Sequence, residues 1–356
     1  MKSKELRLLL WITMWLGVLL GSAEYIILKG WIWKIASLEP YMLRQVDDSW
    51  VRIAFELQRI KNRNRKSTDC FFIYLGGSAG RDSIISDNYM MNKLSDLSGK
   101  TVGFSSLCSR FKTFSTEASI LDELGDFGGT VLITIEALRF TRRVEEQLSY
   151  YYENFPVFFF YLTPNDRVIE LLTEHGYRPK FRDRIRLFRT VEVMGDIVKR
   201  QMKHFLHTGN MKRLTYQHGS RRNRPPVPQD KEPGIINRYE SMHFQDYASY
   251  HQLNLELLRE VIKRAHSNNC QIILIDIPQN PLFSAQIAVL SPHYDEMVHV
   301  LVKENNLLYI DMRHAAQWDA VDFRDAHHLR QPGYQKYSAI LSEKLAELIR
   351  NFHVIR

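Results

Sequence analysis

Phe71–Asp82, FFIYLGGSAGRD, is an apolar run that stops at two glycines and a serine and then opens onto a helix-like stretch. Its counterpart near the other end is Asp322–Leu329, DFRDAHHL, just ahead of Pro332 and Gly333. A serine hydroxyl is a weak nucleophile until a base removes its proton, and an imidazole does this near neutral pH. The imidazole in turn needs a carboxylate to hold its tautomer and stabilise the imidazolium. Asp325 and His328 lie three apart in a loop, so the carboxylate can reach Nδ1 while Nε2 points outward. His327 competes with His328 for the role of base, and Asp322 with Asp325 for the acid.

Gly76-Gly77-Ser78-Ala79-Gly80 satisfies the G-x-S-x-G pattern of a nucleophile elbow. Glycines at a tight strand-to-helix turn also have a purely conformational reading. Position separates the folds that use this pattern. An α/β-hydrolase elbow follows several strands, and its acid stands far from its histidine. Here roughly the first 66 residues read as anchor and spacer, Ser78 follows the first strand, and acid and base share one short loop.

The surrounding chain alternates. Strands are expected at Phe71–Leu75, Thr101–Ser105, Val131–Ile135, Gln271–Ile277 and Leu308–Asp311. Helices are expected near Ser83–Leu97, Ser115–Leu124, Tyr250–Asn268, Tyr294–Asn305 and Tyr334–Asn351. Continuous apolar strands separated by helices indicate an α/β fold, a mainly parallel sheet covered on both faces in three α/β/α layers. Chemistry in such sheets gathers beyond the carboxyl ends of the strands. Ser78 and the Asp325/His328 loop both fall at such ends.

On the residues GGSAGRD, with Ser78, and D-x-x-H, Asp325 and His328 followed by Leu329 and Gly333, the chain resembles the SGNH (GDSL-like) hydrolases. The resemblance covers about 70–140 and 250–356. It is strongest to membrane-anchored members found with cell-envelope polysaccharide machinery, such as the alginate-acetylation and D-alanylation accessory proteins. It implies an SGNH/flavodoxin-like sheet and a serine esterase or O-acyltransferase with catalytic Ser78, Asp325 and His328. It implies neither cofactor nor metal. In that family a glycine of the second block and an asparagine of the third complete the oxyanion hole with the N–H of the serine. Gly103, in TVGFSS, matches the glycine. After VLITI the sequence reads Glu136-Ala137-Leu138-Arg139, with no asparagine. Arg139 offers donors instead, while Glu136 would oppose an oxyanion; Arg81 and Arg139 are the candidate substrate-binding cations. This departure keeps a second function open, a glycan-binding or scaffold partner of a multi-span membrane O-acyltransferase that does no chemistry.

The N-terminus carries Lys2, Lys4 and Arg7 ahead of Leu8–Leu28, 21 residues interrupted only by Glu24. That matches the roughly 20 residues a bilayer core requires. Gly21-Ser22-Ala23 would suit a signal-peptide cleavage site, but the apolar residues and Trp31 and Trp33 that follow favour a retained single-pass anchor with an interfacial aromatic belt. The basic flank then predicts a cytoplasmic N-terminus and an extracytoplasmic body. Ala36–Lys66 reads as a juxtamembrane helical spacer, and the globular domain as 69–356.

An insertion at about 140–248 interrupts the alternation. It holds the aromatic run Phe155–Leu162 and the Pro-rich stretch Arg221–Gly234. Arg178 to Arg224 contains 10 Arg and 4 Lys against Asp183, Glu192 and Asp196, a balance of +11 that exceeds the +8 of the whole chain. Such a surface attracts anionic lipid or acidic glycan; no nucleic-acid motif accompanies it. Cys70, Cys108 and Cys270 have no metal or CxxC spacing and read as buried thiols.

Overall fold

In a computed structural model, residues 3–28, 56–61 except 58, 68–108, 113–147, 166–178, 206, 232–283 and 291–351 are described. The aromatic run 155–162, most of the basic segment and the two tryptophans after the N-terminal helix lie outside them. The chain divides into two compact units. One comprises Met1–Asp47, Tyr151–Thr163 and Arg178–Tyr216, the other Asp48–Tyr150, Pro164–Tyr177 and Gln217–Arg356.

In the first unit, helix α1 spans Ser3–Leu28. Its described side chains, 10–22, are all exposed, with Leu10, Trp11, Ile12, Trp15 and Leu19 more than half so. Among the described residues no helix is long and apolar enough to cross a membrane.

The second unit is built on five strands: β1 (Cys70–Leu75), β2 (Val102–Ser106), β3 (Thr130–Ile135), β4 (Gln271–Asp276) and β5 (Leu308–Asp311). They form one wholly parallel sheet in the order β2-β1-β3-β4-β5. The first three are buried along their whole length, as strands covered on both faces must be. After β1 come the short helix α2 (Ser78–Ser83) and then α3 (Asp87–Ser98), capped by the Ser86 hydroxyl on the Tyr89 N–H at 3.1 Å. After β2 comes α4 (Phe114–Leu124). Later helices are α5 (Asp166–Glu174), α6 (Glu232–Ser267), α7 (Ser291–Glu304) and α8 (Gly333–Asn351).

Helix α3 packs on α8, while α4 packs on α6, an arrangement consistent with three α/β/α layers. Phe72, Tyr74, Phe104, Leu132 and Ile275 of the sheet bury against Met90 and Leu94 of α3 and Leu341 and Leu345 of α8. Strand order reverses between β1 and β3, and the crevice above such a reversal is where ligands bind in doubly wound sheets. Ser78 follows β1 directly and Glu136 follows β3.

Three boundaries differ from the sequence reading. The helix expected at 83–97 is broken, because Ile84 leaves the helical region and Ser86 starts a new one. Helix α6 begins at Glu232 rather than near Tyr250, so the last part of the expected insertion is its first turns. Within the expected spacer, Leu57 and Ile60 are buried, and the Glu56 carboxylate accepts from the Ser105 hydroxyl at 2.5 Å on β2.

Gly103 is a packing residue of β2. It pairs with Phe71, and a Cβ built on it would lie 2.1 Å from the Phe71 ring. That ring is itself seated edge-on against Phe127 at 5.5 Å, so it has little room to retreat. Gly103→Ala is therefore expected to lower the denaturation free energy by about 1–3 kcal/mol, measured by urea unfolding, with activity per folded molecule retained.

Asp276 closes β4 fully buried, with its Oδ2 2.9 Å from Arg313 Nε and accepting from Tyr309 Oη at 3.1 Å. Burial pushes its carboxyl up to about 8; the Arg313 charge opposes the rise and Asp311 adds to it. The unfolded carboxyl ionises near pH 4. Between about pH 4 and 8 the unfolded chain has released a proton that the folded chain keeps, so stability falls as pH rises through that window. Asp276→Asn is expected to flatten this fall, read from urea midpoints at pH 5 and pH 8.

Candidate active site

The strand-to-helix turn at Gly76–Ser78 is set by how closely it crosses β3. A Cβ on Gly76 would fall 2.0 Å from Thr134 Oγ1, and one on Gly80 3.0 Å from the same atom. Glycine is needed at Gly76 for that approach, which places Ser78 at the first position of α2 with Gly77 as its extended N-cap. The first N–H groups of a helix have no intrahelical acceptor, so the Ser78 N–H stands beside its own Oγ as a donor. The turn is not a strained elbow. Among the described residues only Asn269 and Asn306 are non-glycine residues with positive φ.

The second half of the site is a pinched loop. Phe323 and Leu329 form an antiparallel bridge, and the Arg324 N–H donates to the His328 carbonyl at 2.8 Å. Inside the loop, Asp325 Oδ1 accepts from the backbone N–H groups of His327 at 3.2 Å and His328 at 2.9 Å. Asn280, after β4, ties the loop down: its N–H donates to the Ala326 carbonyl at 2.9 Å and its side chain to the Asp325 carbonyl at 3.1 Å.

These two pieces meet. His328 Nε2 lies 2.8 Å from Ser78 Oγ. His328 Nδ1 lies 2.8 Å from Asp325 Oδ1 and 2.9 Å from Oδ2. The His328 side chain is 14% exposed and Ser78 is half-buried, so the hydroxyl can be approached while the imidazole is shielded. Burial disfavours the Asp325 anion, but the His328 imidazole and its hydrogen bonds outweigh this and hold the carboxyl well below the usual carboxylate range. The acid stays charged, as a group orienting an imidazolium must.

The rival residues do other work. The His327 ring lies 4.2 Å from the His328 ring, and burial pushes its pKa down against the nearby Glu136 charge. Asp322 is a structural carboxylate: 1% exposed, it accepts from Lys336 Nζ at 2.6 Å and from the Asp319 N–H at 3.1 Å. Donor atoms of Asp325, His327 and His328 lie within 4.8 Å of one another. A cation held there would compete with the bonds that tie His328 to Ser78 and Asp325.

A buried clamp that the sequence reading did not assign joins the halves. Asp82, four residues after Ser78 on α2, is 1% exposed. It accepts from Arg81 Nε at 2.8 Å and from Arg324 Nη2 at 2.9 Å, and Arg324 Nε reaches Asp325 Oδ2 at 3.5 Å. Burial opposes its ionisation, but Arg81, His328 and Arg324 keep it below the usual carboxylate range. The i, i+4 spacing from Ser78 was the available signal, since such pairs share one helix face. Arg81, expected to bind substrate, thus has its Nε committed to Asp82.

Two expected site residues stand elsewhere. Gly103 pairs with Phe71, four residues before the end of β1, so it sits about 13 Å below the carboxyl edge at 3.3 Å per residue. It cannot donate to an oxyanion at Ser78. In the loop above β2, the Leu107 N–H is already bonded to the Tyr74 carbonyl at 2.8 Å, and residues 109–112 lie outside the described part. Arg139 is also turned inward. Its guanidinium donates to Glu117 Oε1 at 2.8 Å and to the Thr134 carbonyl, and lies 3.9 Å over the Phe114 ring. With 6% of its side chain exposed, it belongs to the core. The three cysteines are free and buried.

Taken together, a parallel α/β unit carries a hydroxyl, an imidazole and a carboxylate in hydrogen-bonded series at its carboxyl edge, the geometry for base-assisted nucleophilic attack. Among comparisons with known proteins, a model of an uncharacterised family matches residues 229–350. That segment runs from α6 through β4, β5 and the D-x-x-H loop into α8 and covers less than half of the chain. No curated protein matches.

Proposed function

We propose that this chain is an SGNH-type serine esterase or O-acyltransferase. The observation that carries the reading is the 2.8 Å contact between Ser78 Oγ and His328 Nε2, with Asp325 on Nδ1. The strand order and the acid and base sharing one loop after the last strand support the same family.

In this mechanism, Ser78 Oγ attacks the ester carbonyl while His328 Nε2 takes its proton. Asp325 stabilises the resulting imidazolium, and the Ser78 N–H stabilises the oxyanion. The tetrahedral intermediate collapses, the C–O bond to the alcohol breaks, and His328 returns the proton to the departing alkoxide. Water, or an acceptor hydroxyl activated by His328, then releases the acyl group from Ser78. Clamping by Asp82 and Arg324 keeps the two halves in register, which matters because small misplacements of reacting groups cost large factors in rate.

The sequence of Leu8–Leu28 and its basic flank, not the described part of α1, extends the proposal to a single-pass membrane anchor with an extracytoplasmic body acting on an acylated envelope polysaccharide. A second reading, a scaffold partner of a membrane O-acyltransferase without chemistry of its own, draws on one observation: Glu136 stands where the family has a donating asparagine.

Incubating wild type and Ser78→Ala with acetyl-ester, long-acyl-ester and peptide substrates separates these readings. Ser78-dependent turnover confined to short acyl esters is the expected result. Turnover of none by folded protein favours the scaffold.

A further inference from the structure

Glu136 is the first residue after β3. Ile133 pairs with Leu75 in the sheet register, so Glu136 leaves β3 at the same carboxyl edge of the sheet from which the turn to Ser78 leaves β1. Its charge acts on His327, whose ring lies 4.2 Å from that of His328, the partner of Ser78. Glu136 is 5% exposed, yet its Oε2 accepts no hydrogen bond among the described residues. A buried acceptor without a donor costs about 1–3 kcal/mol, and such groups in folded proteins call for an explanation.

Among the described residues, the nearby cations are accounted for. Arg139, three residues on, is spent on Glu117 and the Thr134 carbonyl. Arg142 pairs with Glu146 at 3.7 Å on a part-exposed surface. His327, which feels the Glu136 charge, has burial working against its own protonation. A carboxylate at this edge of the site also repels the developing oxyanion of any neutral ester. The position is therefore poor for a neutral substrate and good for one bearing a positive charge.

We infer that Glu136 is a specificity-determining residue that pairs with a protonated amine on the substrate, close to the scissile ester. A protonated amine fits better than a quaternary ammonium, because only the former donates the hydrogen bond that Oε2 lacks. The amine can reach this position from either side of the ester, on the acyl group or on the alcohol. This inference rests on the esterase reading for its chemistry, but the cation site can be tested without turnover.

The full chain and Glu136→Gln would be compared on two matched pairs: 4-methylumbelliferyl glycinate against acetate, and 2-aminoethyl acetate against ethyl acetate. Glu136→Gln removes the charge and leaves an amide that can donate to an oxyanion. The expected result is a crossing. The kcat/KM for the cationic member of one pair falls about 30-fold or more, while that for the neutral members rises. Which pair responds identifies the side of the ester that carries the amine. Equal changes for cationic and neutral members overturn the inference.

In parallel, binding of glycinamide and acetamide to Ser78→Ala is measured by calorimetry, with Ser78→Ala/Glu136→Gln as the control. Glycinamide binding that needs Glu136 supports the site even where no ester is turned over, an outcome that sinks only the esterase reading. Ester turnover with no Glu136-dependent crossing in either pair and no Glu136-dependent glycinamide binding sinks only the cation site.

Discussion

On the proposed esterase reading, Ser78→Ala is expected to lower ester turnover by about three orders of magnitude or more, and His328→Ala to do the same. Each removes one partner of the 2.8 Å contact on which proton transfer depends. The double variant loses no more than either single one, because groups acting as a unit are not additive. Asp325→Asn is expected to cost a factor of about 10⁴. It keeps the size of the side chain but favours the wrong tautomer of His328. The urea midpoint of Ser78→Ala is expected to stay at the wild-type value, since among the described residues the half-buried hydroxyl bonds to His328. Steady-state kinetics beside unfolding curves therefore separates chemistry from folding.

The second large effect concerns the core. Glu117 is fully buried and holds Arg139, which also lies over Phe114. Glu117→Ala leaves a guanidinium stranded in the interior and is expected to cost about 3–5 kcal/mol. Replacing both partners, Glu117→Leu with Arg139→Met, removes the stranded charge and recovers most of that loss, because an apolar pair of similar volume is often as stable as a buried ion pair. Urea denaturation of the two single variants and the double variant measures the difference. If Arg139→Met lost activity without losing stability, Arg139 would be acting on substrate after all.

Much of the architecture was legible because the five strands are short, apolar runs bounded by turns, and their spacing left room for helices between them. The hydrogen-bonded series of Ser78, His328 and Asp325 was legible for a different reason. Few other chemistries place a serine after one strand end and D-x-x-H after the last. What stayed hidden depends on contacts between distant positions. Glycine within a strand signals close approach without saying of what, so Gly103 read as a donor when it accommodates Phe71. Arg139 looked available because its partner lies 22 residues earlier on another element. Asn280 and Arg324 carry no local pattern at all; only the folded loop shows that they hold Asp325 in place. The start of α6 was missed because its first turns follow a proline-rich stretch.

The most direct test of the central claim is to treat the full chain with a fluorophosphonate and map the adduct by peptide mass spectrometry, since this probe reports a serine made nucleophilic by its histidine. The expected result is a single phosphonylated residue, Ser78, with modification abolished in His328→Ala. Modification of folded protein at another serine, or at Ser78 with equal speed when His328 is absent, would contradict the account.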